Sequence, residues 1–285
     1  MKKWNMIIDV ANCTNCNVCA LSVQDEHVGN AFEGYAEEMP KHGHRWINIE
    51  RRERGSAPAT DVAYLPTMCQ HCDDAPCQKA APDAVQKRAD GIVIIDPVKA
   101  KGRREIQEAC PFGAVWWNEE KDIPQHWIFD AHLLDKGWAR PRCETACATA
   151  AIRSVKVTDD EMAAMAEAEG LERRTQSHDI KTRLYYKNLW RFDSDFIAGT
   201  LSAEGNGVTD CVAGALITLS QDGAVCAQVT SDAYGDFKFD RLTKHDAAYE
   251  IAISATGYQE QSSEVRLSGS RYLGEIKLQT KSQAT

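Results

Sequence analysis

The sequence predicts an α+β chain in two parts: a cysteine-bearing part of short strands, loops and helices, then an all-β sandwich. Three observations predict it. Nine of the eleven cysteines lie between Cys13 and Cys147, so one part of the chain carries the thiol chemistry. In that part, β-branched runs alternate with helix-start signals. From about Gly199 onward, short strand-like runs recur at close spacing with turn dipeptides between them. The expected division is residues 1–198 and 199–285, and 285 residues at roughly 150 per domain fit two domains.

Hydrophobic residues at 43% and charged residues at 26% are ordinary for a globular chain and exclude a disordered one. No run approaches the roughly 18 consecutive apolar residues of a membrane span. Met1 to Asp9 shows no long apolar core or small-residue cleavage site, and a cytoplasmic protein is expected. A net charge of −9 disfavours nucleic acid or anionic membrane as a partner. In a reducing compartment, clustered cysteines point to metal ligands rather than disulfides.

Trp4 to Val10 reads as a strand running into the first cysteine loop, and Gly91 to Ile95 as a second, stopped by Asp96-Pro97. Asp96 as N-cap with Pro97 behind it predicts a helix to about Ala109. Thr158-Asp159-Asp160-Glu161 is a capping box. It opens a helix with Met162, Met165 and Ala166 on one face, ended by Gly170 and packed on the cysteine domain. Strands are expected at 215–219, 225–229 and 249–253, punctuated by Asp222-Gly223, Tyr234-Gly235-Asp236 and Thr256-Gly257. Cys211 and Cys226 read as small core residues of that part.

Cys13-x2-Cys16-x2-Cys19 is three-quarters of a bacterial ferredoxin run. Thiolates so tightly spaced can wrap three corners of one iron–sulfur cube. A structural zinc site usually shows two separated Cys-x2-Cys pairs. Cys69-x2-Cys72-x4-Cys77 is a second run, and Cys110-Pro111 looks like the end of a third whose earlier positions fall at Arg103 and Ile106. Cys143 and Cys147 are spaced like the end of a fourth.

Four such groups in two ferredoxin-like modules with long insertions resemble the iron–sulfur subunit of molybdopterin enzymes of the dimethyl sulfoxide reductase family. In that family groups one and four exchange their last cysteines, and so do groups two and three. The resemblance therefore implies two complete ligand sets, each for one [4Fe–4S] cluster: Cys13, Cys16, Cys19 and Cys147, and Cys69, Cys72, Cys77 and Cys110. It implies that two further clusters are lost, one through Ala81 and the missing cysteines of group three, the other through Val23, Trp127 and Asp130. Cys143 is left over, as a thiol packed where that cluster was, as a ligand of a three-iron cluster, or as part of an odd metal site with Asp130. Trp127 is expected to fill the vacated volume.

His42-Gly43-His44-Arg45-Trp46, Asn48 to Gly55, Ala131 to Asp135 and Tyr185 to Leu189 are similar to the small subunits of the pyrogallol–phloroglucinol transhydroxylase type. So is the appended β-domain, whose Gly235-Asp236-Phe237-Lys238-Phe239 and Ala255-Thr256-Gly257-Tyr258 resemble Cna-B or carboxypeptidase-regulatory sandwiches. The departure is at Val23, Trp127 and Asp130, because that type is expected to keep the group-four cluster.

His27, His42 and His44 are expected to make structural or interface hydrogen bonds, and the Arg51–Arg54 run to form a solvated or subunit-facing surface. No nucleophile, general base or phosphate-cradling loop stands out. The resemblance implies a non-catalytic chain paired with a large subunit carrying molybdopterin with molybdenum or tungsten. That enzyme would act on hydroxylated aromatics. The alternatives are an electron-transfer subunit of a related hydroxylase or reductase feeding an external acceptor, and a protein whose clusters only staple its fold.

Overall fold

The computed structural model describes residues 1–174, 180–205, 207–243 and 246–281. The chain forms two compact units, residues 1–51 with 64–189 and residues 52–63 with 190–285.

The first unit contains β1 (Lys3–Asp9), α1 (Val18–His27), the base of the hairpin β2 (Ile47–Ser56) and β3 (Ala59–Met68), α2 (Pro76–Ala80), β4 (Val85–Lys87) and β5 (Val93–Ile95). It continues with α3 (Glu105–Glu108), β6 (Trp116–Asn118), β7 (Ile123–Gln125), α4 (Ala131–Leu134), α5 (Arg142–Thr145), β8 (Ile152–Val157), α6 (Asp159–Glu169) and β9 (Leu184–Lys187). Its main sheet has the order β8-β1-β9, with β8 antiparallel and β9 parallel to β1. Met6 and Ile8 of β1 are fully buried and Ile7 nearly so, so this strand is a core element on both faces.

Helix α6 forms as its capping signal predicts. Thr158 and Glu161 exchange both hydrogen bonds of the box, and Gly170 takes the left-handed φ of 63° that ends the helix. Met162 packs with Ile7, Leu171 and Tyr185, and Met165 and Ala166 lie against them. The helix expected from Asp96 to Ala109 is shorter. Asp96 does accept the N–H groups of Val98 and Lys99 at 2.9 and 3.2 Å, as a cap would. Gly102 then takes φ 75° and sends its N–H to the Asp122 carbonyl at 2.8 Å, which leaves only Glu105–Glu108 helical.

The second unit holds α7 (Trp190–Asp193), β10 (Asp195–Gly205), β11 (Val208–Cys211), β12 (Leu216–Gln221), β13 (Ala224–Thr230), β14 (Asp236–Leu242), β15 (Ala247–Ser254), β16 (Gln261–Leu267) and β17 (Arg271–Leu278). One sheet runs β11-β10-β14 with β17 parallel to β10, and the other runs β13-β12-β15-β16. Both contribute to a single core that includes Ile197, Leu201, Ile217, Phe239, Ile251 and Leu267. On β15, Tyr249, Ile251 and Ile253 face inward between exposed neighbours, the period-two pattern of a half-buried strand. Asp222 and Gly223 both take positive φ, which closes the β12–β13 hairpin tightly.

Three expectations need correction in this unit. The expected edge at 198/199 falls inside β10, because the strand starts at Asp195 and its first residues already belong to the core. Cys211 and Cys226 are exposed rather than buried, since the inward positions go to larger aliphatic and aromatic side chains. In the arginine run, Arg54 is only 2% exposed. Its guanidinium pairs with Asp61, donates to Asp240 and the Ser194 carbonyl at 3.1 Å, and lies against the Trp190 and Phe196 rings. The arginine at that position is a core residue, held because its charge is paired and its planar face is stacked.

Candidate metal centre

Cys13 and Cys16 lie on the loop after β1, and Cys19 lies in the first turn of α1. Asn15 and Asn17, the residues flanking Cys16, take φ of 59° and 60°. Asparagine tolerates this left-handed geometry better than most side chains, and it lets the loop curl around one point. Cys147 arrives from the far end of the cysteine region. The antiparallel pairing of β8 with β1, continued by the Asp9 N–H to Ala151 carbonyl bond of 2.8 Å, carries its loop beside Cys13. Cys13, Cys16, Cys19 and Cys147 line one small cavity with Ile49, Pro66, Thr149 and Ile152.

Cys69 and Cys72 lie in the loop after β3, Cys77 in α2 and Cys110 just beyond α3. Cys72, Cys77 and Cys110 pack in a small core with Ala75, Ala81, Val85, Val93, Ile95 and Ile106. Residues 77 and 110 are distant in sequence, yet their thiols act on one another and on Cys69 and Cys72.

Electrostatics give these quartets their chemical meaning. Burial pushes the thiols up, Cys19 and Cys72 to about 12 and Cys77 to about 11, with neighbouring cysteines adding to the rise. Cys69 lies well above the ordinary thiol range for the same reason, and Cys13 is raised. Four thiolates this close repel one another, and only a cationic centre among them makes the deprotonated set stable. The residues present fit an iron–sulfur cube in both places: soft sulfur donors converge from loops, with hydrophobic walls behind them.

The structure fills the positions where cysteines are missing. Ala81 and Ile106 are fully buried in the core beside Cys72, Arg103 pairs with Asp83 and Glu105, and Val23 is buried. Trp127 is fully buried and stacks on Phe129 with ring centres 4.8 Å apart. Cys143 is fully buried, with Asp130 and Cys19 as neighbours, and burial holds its thiol well above the usual range. Asp130 takes φ 51°, accepts the Arg142 N–H at 2.6 Å through one oxygen, and leaves the other 3.9 Å from His27 Nε2.

The remaining histidines divide clearly. His44 Nε2 donates to the Trp117 carbonyl at 2.8 Å, a structural role, and His42 is exposed. His27 is fully buried between Trp46, Phe32 and His132. Two histidines that the sequence did not single out matter more. Cys69, His71 and His126 place ligand atoms within 4.8 Å of one another. The backbone of Val93 takes up one nitrogen of each ring: its N–H donates to His71 Nδ1 at 3.1 Å, and its carbonyl accepts from His126 Nε2 at 3.0 Å. Burial holds both imidazoles neutral, His126 with its value lowered to about 4. Through Val93 these two rings tie the Cys69 loop to β5. A histidine inside a Cys-x2-Cys loop carries no spacing signal, so only the fold exposes this arrangement.

The family described as a 4Fe-4S dicluster domain matches residues 60–157. The chain is 42% identical over 263 residues to the pyrogallol hydroxytransferase small subunit of Pelobacter acidigallici, covering 91% of this chain and 94% of that one. The arsenate respiratory reductase iron-sulfur subunit of a Shewanella species is 28% identical over 49% of this chain and 55% of its own. A tetrathionate reductase subunit of Salmonella typhimurium is 30% identical over 51% and 54%. With both cysteine quartets assembled and nine-tenths of its length shared with the first of these relatives, the chain belongs to the family of iron–sulfur subunits of dimethyl sulfoxide reductase-type molybdopterin enzymes, together with the pyrogallol hydroxytransferase small subunit.

Proposed function

We propose that this chain is the non-catalytic iron–sulfur subunit of a cytoplasmic enzyme whose large partner subunit carries molybdopterin, with molybdenum or tungsten, and acts on hydroxylated aromatics. The observation that carries the reading is the convergence of two cysteine quartets, each completed by a residue from a distant group. In this reading Cys13, Cys16, Cys19 and Cys147 hold one [4Fe–4S] cluster, and Cys69, Cys72, Cys77 and Cys110 hold the other. Bound there, the clusters supply one-electron storage. The chain's own residues shape the loops and close them against water. The C-terminal unit, a sandwich of the Cna-B or carboxypeptidase-regulatory kind, serves as a packing and interaction module. No helix among the described residues is long and apolar enough to cross a membrane.

A transhydroxylation moves a hydroxyl group between two aromatics and exports no net electrons. The side chains from Cys19 toward Cys69 support that assignment. Cys143 neighbours both Cys19 and Asp130, Phe129 and Trp127 stack, and His71 contacts both rings and approaches Cys69 at 3.9 Å. In this reading Trp127 and Phe129 stand in place of a third relay centre. The second reading, electron transfer to an external acceptor, is favoured by the reductase subunits among the relatives. The test is anaerobic purification of the native complex, then turnover of an aromatic substrate with its aromatic co-substrate, with and without a dye acceptor. Turnover without the dye is expected. Strict dependence on it, with the clusters cycling at the catalytic rate, establishes the second reading instead.

A further inference from the structure

Lys87, at the end of β4, sends its ammonium group into the Cys69–Cys72 loop. Its Nζ donates to the carbonyl oxygens of His71 at 2.7 Å, Cys72 at 2.9 Å and Gly91 at 2.7 Å. Its side chain is 15% exposed. Asp73 Oδ1 lies 3.2 Å from Nζ, but that carboxylate is also gripped by Arg183, through Nε at 2.8 Å and Nη2 at 2.6 Å. Arg183 in turn reaches Asp159 at 2.9 Å. Asp159 also pairs with Lys3 at 2.8 Å, so two carboxylates serve three cations. The three carbonyls fix the ammonium without neutralising it, and Lys87 keeps uncancelled positive charge beside the thiolates. Cys69, Cys72 and Cys77 all interact electrostatically with it.

We propose that Lys87 is a positioning residue that raises the reduction potential of the cluster held by Cys69, Cys72, Cys77 and Cys110, with Asp73 as the opposing charge that moderates it. The inference rests on the cluster assignment above. One-electron reduction, with dithionite as the donor in the experiment below, adds one negative charge inside the quartet. A nearby fixed cation stabilises that charge, strongly where few waters intervene and with little screening by salt. The Cys13 quartet has no such ammonium on its loop carbonyls among the described hydrogen bonds, so it serves as an internal reference.

The test is a mediated redox titration of the native complex with dithionite, followed by EPR so that the two clusters are read separately. Lys87→Gln is expected to lower the reduced-to-oxidised ratio of the Cys69 cluster about tenfold at fixed ambient potential, which is 59 mV for a one-electron couple. Asp73→Asn is expected to move the same cluster in the opposite direction, Lys87→Arg to stay near the parent, and the Cys13 cluster to hold still in all three. Opposite signs are a signature that general loosening of the loop does not produce. Equal-signed shifts, or an unmoved potential in Asp73→Asn, overturn the proposal. If Lys87→Gln sheds its cluster, the sign of the Asp73→Asn shift decides alone. A parent complex without two clusters defeats the cluster assignment itself and is seen before any variant is made.

Discussion

Cys110 and Cys143 look alike in sequence, each a cysteine remote from a complete run, but their surroundings differ. Cys110 stands among Cys69, Cys72 and Cys77, whereas Cys143 is buried beside an aspartate and only one cysteine of a set already filled by Cys147. Cys110→Ala is expected to remove one four-iron cluster and leave the other, while Cys143→Ala leaves the iron content of the parent. Iron analysis with reduced-state EPR checks both, and iron loss in Cys143→Ala contradicts its role as a packed thiol. Trp127 is expected to behave as a core residue. Because the ring is fully buried and stacked on Phe129, Trp127→Ala should cost about 3–5 kcal/mol in denaturant unfolding. The quartets were readable from spacing once the family crossover was applied. The burial of Arg54, the exposure of Cys211 and Cys226, and the support given by His71 and His126 were not, because each depends on neighbours remote in sequence.

At the scale of elements, the readable features were those with short-range chemistry. The α6 capping box and its glycine stop stood in the sequence and formed as read, while the α3 region shortened because a glycine and a distant carbonyl competed for the backbone. Thr158→Ala should destabilise the first unit by about 1 kcal/mol, the usual worth of a side-chain cap. Asp159, next in line, adds a pH dependence. Hydrogen bonds from Lys3 and then Arg183 lower its carboxyl to about 2 from an ordinary 3.8. A carboxyl depressed in the fold contributes stability that is complete above its unfolded value and lost as the pH falls through the folded one. The gap in denaturation midpoint between parent and Asp159→Asn should therefore be widest above about pH 4 and close by about pH 2. A gap that is constant across this window excludes the ion pairs as its source.

For the whole molecule, the strand order β8-β1-β9 makes the first and last segments of the cysteine-bearing unit neighbours in one sheet. The two quartets close over very different stretches of chain: Cys77 to Cys110 is a short return, whereas Cys19 must wait for Cys147 and for β8 to find β1. Closing the longer loop costs more chain entropy, and the pairing that offsets this cost comes late in synthesis. With the clusters held as proposed, the Cys69 quartet is expected to fill first. When iron is scarce during expression, partly loaded protein should carry its metal mainly in the Cys69 quartet, seen as one EPR signal growing in ahead of the other. The N-terminal cysteines then stay open to oxidation until the chain beyond residue 150 has folded back onto them, and oxygen during biosynthesis should damage that quartet first.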